Sequence, residues 1–379
     1  MKIQVLHISH TDIRFDSRIL KEMDCLQAES QLNVFGFGIV DNKYDAENAP
    51  ELNINVRIFT LLSKRFLRIP RSLRYIFMYF EALFSMLIPA VMLRPKVIHC
   101  HDTLVLPIGC MVKLFTGSKL IYDAHELESR KNGQGRILSG ATYLVEKILW
   151  RFVDFFITVS PSIVQWYEEK LGPKQNEIIL NSPIYMESIK RRLHNESYFR
   201  KLYAISDENK IFLYLGIIAK GRGVEMYLNI FESEGISSHI VFMGYGDLVD
   251  DVINRSKGCN RIHFHPRVEH ERVVEISQSA DVGLAIIEAI SLSDYYCLPN
   301  KLFECAFAGI PVLASDFPDM KRMIEEYKLG ATTKIDYQSV RDSIIRIQEF
   351  GLSTSDCDLY PISWQNQSIK LLNVYKNLL

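Results

Sequence analysis

Apolar, β-branched runs alternate with amphipathic segments of helix length along most of the chain. Helical periodicity is clear in residues 16–29 and 142–153. Such alternation is typical of a parallel sheet with helices on both faces. In the first half the runs that predict strands are residues 3–9, 33–40, 56–61, 97–102, 120–126, 155–160 and 177–182.

The same pattern restarts after a polar, basic stretch at residues 188–210. The sequence therefore predicts an α/β protein of two Rossmann-like, doubly wound domains, residues 1–187 and 188–362, facing a cleft at the C-terminal ends of their strands. Residues 363–379 are predicted to form a helix that packs back on the first domain. The strands predicted for the second domain are residues 211–218, 239–244, 261–266, 281–287 and 310–316.

Composition narrows the function classes. The chain has 379 residues, 48% of them hydrophobic, and a formal net charge of −1, so no overall charge favours nucleic acid as a partner. Its seven cysteines form no CxxC pair, which argues against a zinc site and a disulfide framework. "HCHD" and "HFH" place histidines two apart, but no third and fourth ligand is spaced nearby, so no metal site is expected. The N-terminal "MKIQVLHISH" reads as a strand and not as a signal peptide, which favours the cytoplasm.

Residues 64–93 leave three alternatives open. Residues 64–74 carry five basic side chains and no acid, and residues 75–93 are apolar except for Glu81, Ser85 and Pro89. The segment would be a helix buried in the domain, a helix docked on the inner, anionic face of the cell membrane, or a transmembrane helix. Glu81 and Pro89 count against a span.

Residues 297–320 suggest chemistry at a helix start. Pro299 suits the first helical position and Gly309 with Pro311 ends the helix. The free N–H groups of the first turn, together with Lys301, predict an anion site suited to a diphosphate. Glu304 accepts hydrogen bonds only and would suit ribose hydroxyls, although an exposed Lys–Glu pair is the structural alternative.

A second basic residue, Arg222, lies between Gly221 and Gly223 directly after a predicted strand. Glycines allow close backbone approach, and a guanidinium binds phosphate oxygens in a bidentate fork. Arg222 and Lys301 at two strand-to-helix junctions predict one pyrophosphate held from two sides.

These motifs resemble the retaining glycosyltransferases of family 4, which have the GT-B fold, and the resemblance covers nearly the whole chain. "LPNKLFE" in particular resembles bacterial polysaccharide members. The segments that carry the resemblance, in order, are "FDSRILKEMDCLQ", "VIHCHD", "LIYDAHE", "ITVSPSI", "YLGIIAKGRGVE", "FMGYGDL", "ADVGLAII" and "LPNKLFECAFAGIPVLASD".

The resemblance implies roles for individual residues. His125, Arg222 and Lys301 would be catalytic, with His125 contacting the transferred sugar; its alternative is a histidine satisfied by neighbouring backbone. Asp16, Arg18, His101 and Asp102 would lie on the acceptor side, although Asp16 and Arg18 would equally well cap and pair on the first helix. The implied donor-binding residues are Gly216, Arg222, Gly223, Tyr245, Gly246, Arg267, Val268, Tyr296, Pro299, Asn300, Lys301, Leu302 and Glu304.

One departure from the family pattern concerns sugar recognition. The first acid of the Glu-x7-Glu motif is replaced by Tyr296, so recognition of the donor sugar must differ. No cofactor or metal is expected; the donor would be a UDP or GDP sugar and the acceptor a lipid-linked oligosaccharide. The alternatives are a nucleotide-sugar 2-epimerase, a two-domain sugar-binding protein and a catalytically weak partner subunit.

Overall fold

A computed structural model describes residues 3–29, 31–40, 52–66, 68–185, 197–354 and 357–379 of the chain. The chain forms two compact units, Met1–Ile179 with Gln367–Leu379, and Leu180–Asn366. The sequence places the boundaries after residues 187 and 362. The first of these lies outside the described residues.

The N-terminal unit is built on a parallel sheet of seven described strands in the order β3-β2-β1-β4-β5-β6-β7. All seven correspond to runs predicted from the sequence. Their bounds are β1 Ile3–Ile8, β2 Leu32–Ile39, β3 Asn55–Phe59, β4 Val97–His101, β5 Lys119–Ala124, β6 Phe155–Thr158 and β7 Asn176–Ile178.

The C-terminal unit contains a parallel sheet of six described strands in the order β10-β9-β8-β11-β12-β13. The predicted class of two parallel-sheet α/β domains is therefore confirmed. The short edge strand β13 was not predicted, since its sequence "GATT" lacks an apolar run. The bounds are β8 Ile211–Ile217, β9 His239–Tyr245, β10 Ile262–Pro266, β11 Val282–Ala285, β12 Val312–Ser315 and β13 Gly330–Thr333.

Helices cover both sheets and bury their apolar faces against them. In the C-terminal unit Tyr227 and Phe231 of one helix pack on Phe212, Tyr214 and Phe242 of the sheet, all fully buried. The helices are α1 Ser17–Gln27, α2 Arg71–Leu93, α3 Leu106–Thr116, α4 Arg136–Leu149, α5 Pro161–Leu171, α6 Tyr198–Tyr203, α7 Val224–Glu232, α8 Val249–Gly258, α9 His270–Ser277, α10 Leu292–Tyr295, α11 Asn300–Phe307, α12 Pro318–Glu326, α13 Tyr337–Phe350 and α14 Trp364–Leu378.

Hydrogen bonds explain where the chain passes from one unit to the other. The side chain of Gln365 accepts from the backbone N–H of Tyr185 at 2.8 Å and donates to its carbonyl at 2.7 Å. The N–H of Trp364 donates to the carbonyl of Pro183 at 2.9 Å. The start of α14 therefore belongs to the C-terminal unit, and the rest of the helix belongs to the N-terminal unit.

Helix α2 has one buried face and one exposed face. Within Leu73–Leu93, which is long and apolar enough by composition to cross a membrane, only 28% of the most apolar window is buried. Seven exposed apolar side chains share one helical face, whereas exposed Tyr75 lies off it; the seven are Leu73, Ile76, Phe77, Phe80, Phe84, Ile88 and Met92.

Glu81 lies beside this apolar face and is bonded to the turn that precedes α2. Its carboxylate accepts from the backbone N–H groups of Leu62 and Ser63 at 2.7 and 2.8 Å, and from the Ser63 hydroxyl. The acid that counted against a membrane helix thus holds the turn at residues 62–65 against α2.

Each sheet reverses its strand order at one point, between β1 and β4 in the first and between β8 and β11 in the second. Loops after the strands on either side of such a point leave a crevice where α/β proteins bind ligands. Several candidate residues lie on these loops, among them Arg222, Gly223 and Asp102.

Candidate functional site

The loop after β8 carries Arg222 between two glycines with positive φ, Gly221 at +77° and Gly223 at +76°. Residues with side chains rarely adopt this conformation, so the loop depends on glycine. Glu288, which follows β11, accepts from the N–H of Gly223 at 3.3 Å and donates its own N–H to the carbonyl of Gly221 at 3.1 Å. The loops on the two sides of the switch point are thus bonded to each other.

The guanidinium of Arg222 lies 3.5 Å from the carboxylate of Asp294, and the Arg222 side chain is 35% exposed. Asp294 is held in turn by Ser291, which caps α10. An arginine has five N–H donors, so an ion pair to one carboxylate leaves donors for a second anion.

Lys301 lies in the first turn of α11. Its Nζ is buried and has no hydrogen-bond partner within the described part of the chain. It lies 3.9 Å from the centre of the Tyr214 ring. Burial, followed by the nearby positive charge of Arg222, lowers the pKa of Lys301 to about 7. Two basic groups therefore lie close together beside a helix start.

The first turn of α11 begins after Pro299, which occupies the N-cap. Asn300 is exposed, whereas Leu302 is fully buried and its N–H donates to the carbonyl of Pro299 at 3.0 Å. The Leu302 side chain is therefore part of the core, and its predicted donor contact would have to be made by its backbone.

Further candidate residues line the same strand ends. Glu304 lies 3.9 Å from His270 at the start of α9, and α9 follows the loop of Arg267 and half-buried Val268. The Arg267 guanidinium lies 5.5 Å from the ring centre of Tyr245, which ends β9.

Two glycines at the ends of β8 and β9 are required for different reasons. A Cβ on Gly246 would lie 2.3 Å from the carbonyl oxygen of Ile218, whereas Gly216 has space for a Cβ but a φ of +103°. Substitution at either position would disturb the loop that carries Arg222.

Tyr296 caps the C-terminal end of α10 and is half-buried. The acids beside the Arg222 loop are Glu288 and Asp294, which lie eight and two residues before Tyr296. Both acids contact the loop that carries Arg222.

In the N-terminal unit the ends of β1, β4 and β5 form a buried cluster of four histidines. The Nδ1 of His7 is 2.9 Å from Nε2 of His101, and Nδ1 of His101 is 3.1 Å from Nε2 of His125. The Tyr375 hydroxyl from α14 is 2.9 Å from Nδ1 of His99 and 3.3 Å from Nε2 of His7.

Asp16 and Arg18 take structural roles. The Asp16 carboxylate caps α1 by accepting from the N–H groups of Arg18 and Ile19, each at 3.2 Å. The Arg18 guanidinium is buried and donates to Asp123 at 3.0 Å and to the carbonyl of Ile179 at 2.9 Å. Arg18 is therefore unavailable to an acceptor, and the same holds for His101, which is also fully buried.

His125 is the cluster member that reaches solvent, with 19% of its side chain exposed. Burial alone would lower its pKa, but the carboxylates of Asp102 and Asp123 outweigh burial and raise the pKa to about 10. Asp102 has φ +66° and ψ 166°, a region that costs a non-glycine residue on the order of 1–3 kcal/mol. The Asp102 carboxylate accepts from the backbone N–H of His125 at 3.3 Å, which helps to hold this conformation.

A family model, a related sequence and solved structures all resemble this chain. Residues 209–349 match the family model described as "Glycosyl transferases group 1". The matched residues lie within the C-terminal unit. The chain is also 23% identical over 300 residues, 74% of its length and 75% of the relative's, to an uncharacterized glycosyltransferase, MJ1607, of Methanocaldococcus jannaschii.

Solved structures resemble the whole chain. Sucrose-phosphate synthase from Thermosynechococcus elongatus has a TM-score of 0.77 at 14% identity and covers 100% of this chain and 99% of that one. Anabaena Alr3699/HepE in complex with UDP-glucose has a TM-score of 0.71 at 12% identity and covers 99% and 100%. The fold and the family match together support a glycosyltransferase of GT-B fold.

Sequence reasoning missed several residues of both clusters. Tyr214 precedes Lys301 by 87 positions, and nothing in "IFLYLG" marks its ring as the neighbour of an ammonium. Glu22 and Tyr375 join the histidine cluster from helices far apart in the sequence, where each reads as part of an amphipathic pattern. The sequence shows Asp294 and Glu288 as acids next to the family motif, but it does not show that they contact Arg222 and Gly223.

Proposed function

We propose that the protein is a retaining glycosyltransferase that moves a sugar from a nucleotide-diphosphate donor to a lipid-linked saccharide in bacterial surface polysaccharide synthesis. The observation that carries the proposal is the buried ammonium of Lys301, which lacks a hydrogen-bond partner in the described residues and lies near a second cation, Arg222. A buried charge without a partner is costly unless a ligand completes it. A diphosphate supplies the missing negative charge.

The donor would be a UDP or GDP sugar. The diphosphate binds Lys301, the exposed donors of Arg222 and the N–H groups that begin α11. Glu304 accepts hydrogen bonds from the ribose hydroxyls, and Tyr245 with Arg267 lines the base. Binding of UDP-glucose by Anabaena Alr3699/HepE, a protein of the same fold, supports a nucleotide sugar as donor.

The chemical step follows from where charge develops. As the bond between the anomeric carbon and the diphosphate breaks, negative charge grows on the leaving oxygen, and Lys301, Arg222 and the helix start stabilise it. The acceptor hydroxyl attacks from the face that the diphosphate leaves, which retains configuration, and a phosphate oxygen of the departing group takes its proton. His125 contacts the sugar being transferred. With two cations at the diphosphate, no metal ion and no cofactor is needed at that position.

The acceptor is proposed to be held at a membrane surface. The exposed face of α2 presents Phe77, Phe80, Phe84 and Ile88, each at least half exposed, next to the basic residues 64–74. Helix α3 packs against α2 and ends with exposed Leu114 and Phe115. An apolar face beside a basic flank favours docking on anionic lipid at the cytoplasmic side of the membrane.

The test combines donor binding and transfer. A thermal-shift screen over UDP and GDP sugars identifies the donor, because a ligand of the native state raises the unfolding midpoint. Arg222→Ala/Lys301→Ala should abolish this shift and the transfer of sugar to lipid-linked acceptors. Arg255→Ala/Lys257→Ala removes the same charge from α8, away from the loop, and should change neither.

Three results would overturn the proposal. Unchanged donor binding in the Arg222→Ala/Lys301→Ala variant would show that the site is elsewhere. Release of an epimerised sugar without acceptor would identify a 2-epimerase, and donor binding without any turnover would identify a partner subunit.

A further inference from the structure

Three side chains of the N-terminal unit form a nearly equilateral triangle of potential metal ligands. The Nδ1 of His101 lies 3.4 Å from Oδ2 of Asp123, Nε2 of His125 lies 3.3 Å from the same oxygen, and the two nitrogens are 3.1 Å apart. We propose that these three residues bind a first-row divalent transition-metal ion, with Zn²⁺ as the preferred ion. This inference goes beyond the transfer reaction and is independent of it.

The dimensions of the triangle suit such an ion. Zinc lies about 2.0–2.2 Å from histidine nitrogen and carboxylate oxygen, and tetrahedral coordination then places neighbouring ligand atoms about 3.3 Å apart. The three distances agree with this spacing without any movement of the chain. Two histidines and one carboxylate are also a ligand set that zinc and iron(II) sites use.

The sheet fixes the triangle in place. His101 and Asp123 are partners in the parallel pairing of β4 and β5. His125 follows Asp123 by two positions, so the alternation of the strand directs both to the same face. Sequence spacing did not reveal this set, because Asp123 and His125 lie more than 20 positions after His101.

Two of the three ligands, His101 and Asp123, are oriented by a second hydrogen bond. The other nitrogen of His101, Nε2, is 2.9 Å from His7, and His7 reaches the Tyr375 hydroxyl at 3.3 Å. The other oxygen of Asp123, Oδ1, accepts from Arg18 at 3.0 Å. Partners of this kind set the tautomer of the ligating histidine and hold the carboxylate in metal sites.

The surrounding charges leave room for a dication. Asp102 and Asp123 contribute two carboxylates, and an ion of charge +2 would match them. Arg18 adds one positive charge, and the buried carboxyl of Glu22, whose pKa burial raises to about 8, adds negative charge only when it ionises. Arg18 also donates to Oδ2 of Asp123 at 3.1 Å, so the ion would share that oxygen with it. Binding displaces to solvent the proton that His101 and His125 share.

Access favours this set over a neighbouring one. His7, Glu22, His99 and His101 also place four ligand atoms within 4.8 Å of one another, but all four residues are fully buried. His125 is 19% exposed, so an ion can enter beside it and keep a fourth position for water. The ion would occupy the His125 nitrogen that the proposed transfer reaction uses, and metal-loaded protein should transfer sugar more slowly.

Metal analysis of the full-length, untagged protein tests the site. After treatment with EDTA, equilibrium dialysis against Zn²⁺ should give one bound equivalent by elemental analysis. Co²⁺ should give the intense visible bands of a tetrahedral site, without thiolate charge-transfer absorption. His125→Gln should lose both signals. The control is His263→Gln, because His263 and His239 also pair at 2.9 Å but belong to no set of three metal-binding groups among the described residues.

The metal measurements give distinct results for a site at these three residues, a site elsewhere and no site. Wild-type protein that binds no stoichiometric Zn²⁺ or Co²⁺ overturns the proposal, whatever the variants do. Undiminished binding by folded His125→Gln, or a thiolate band in the Co²⁺ spectrum, moves the ion to other residues and overturns it too. Failure of the proposed transfer reaction would leave the metal measurement unaffected.

Discussion

The ammonium of Lys301 lies 3.9 Å from the centre of the Tyr214 ring, and within the described chain its nitrogen has no hydrogen-bond partner. The ring offers a cation–π contact but cannot replace lost hydration completely. Below its pKa of about 7, Lys301 therefore carries a charge in the ligand-free protein that is unfavourable for stability and favourable for anion binding.

Lys301→Met should separate these two effects. We expect it to raise the free energy of unfolding by about 1 kcal/mol or more, because an apolar side chain replaces a buried, unpaired charge. Donor binding should weaken about ten- to a hundredfold, the worth of a hydrogen bond to a charged group. Since the pKa of Lys301 is about 7 in the folded protein and the ordinary value is 10.5, the stability gain is largest below pH 7 and fades as the pH rises toward 10.5.

Denaturant unfolding and calorimetric titration of the nucleotide sugar measure both quantities. A variant that loses stability at pH 6 would show that the ammonium is already satisfied in the free protein. Lys328→Met, on a residue outside the donor loops, serves as the control for removal of one positive charge.

Gly223→Ala should weaken donor binding in addition to the stability that its backbone conformation costs, because Gly223 lies in the loop that carries Arg222. Its φ of +76° costs an L-residue roughly 1–2 kcal/mol, and a Cβ there would lie 3.2 Å from the Tyr227 ring. Gly235→Ala is the matched control, with φ +81° and its nearest atom at 3.7 Å. Both variants should lose similar stability by thermal unfolding, but only Gly223→Ala should weaken donor binding. Equal donor affinity in the two variants would contradict the assignment of this loop.

The exposed face of α2 predicts lipid binding that depends on both apolar and basic groups. Phe80→Ser/Phe84→Ser should reduce co-flotation with anionic vesicles about tenfold or more, since each buried phenylalanine contributes roughly 1.5–3 kcal/mol. Salt should weaken wild-type binding by screening the basic flank. Phe350→Ser, at an 81% exposed position on α13, is the control and should float like the wild type. Salt-insensitive binding, or no binding of the wild type, would contradict membrane docking.

Tyr375→Phe should destabilise the N-terminal unit by about 1–3 kcal/mol, because the ring nitrogens of His7 and His99 lose their hydroxyl partner in a buried cluster. Tyr337→Phe, on a 41% exposed side chain, should change stability little. Chemical unfolding of both variants tests this contribution of α14. Equal stability of the two would mean that the hydroxyl is dispensable to the cluster.

The sequence predicted the fold well for a physical reason. Buried parallel strands need continuous apolar runs, and these appear in "IQVLHIS" and "IFLYLG" as clearly as in the structure. The edge strand β13 was not predicted, because "GATT" is not fully buried and carries no such run. For α2 the sequence left the alternatives open, because composition does not show that the Glu81 carboxylate is bonded to Ser63.

The candidate sites were predictable only where chemistry is local in sequence. Arg222 between glycines and Lys301 after Pro299 each stand out within a few residues. The partners that set their behaviour, Asp294 and Tyr214, come from other elements and required the fold. The sequence left open whether Arg18 meets an acceptor or pairs within the domain, since its carboxylate partner Asp123 is 105 positions away.

Proton uptake on donor binding tests the central claim most directly. A diphosphate bound to Lys301 favours the charged ammonium, so its pKa rises from about 7 toward the ordinary value when the donor binds. Calorimetric titration in two buffers of different ionisation enthalpy should therefore show uptake of nearly one proton at about pH 8 and almost none at about pH 6. Lys301→Arg should bind the donor without uptake at either pH. Binding heats at about pH 8 that are identical in both buffers for the wild type would contradict the account.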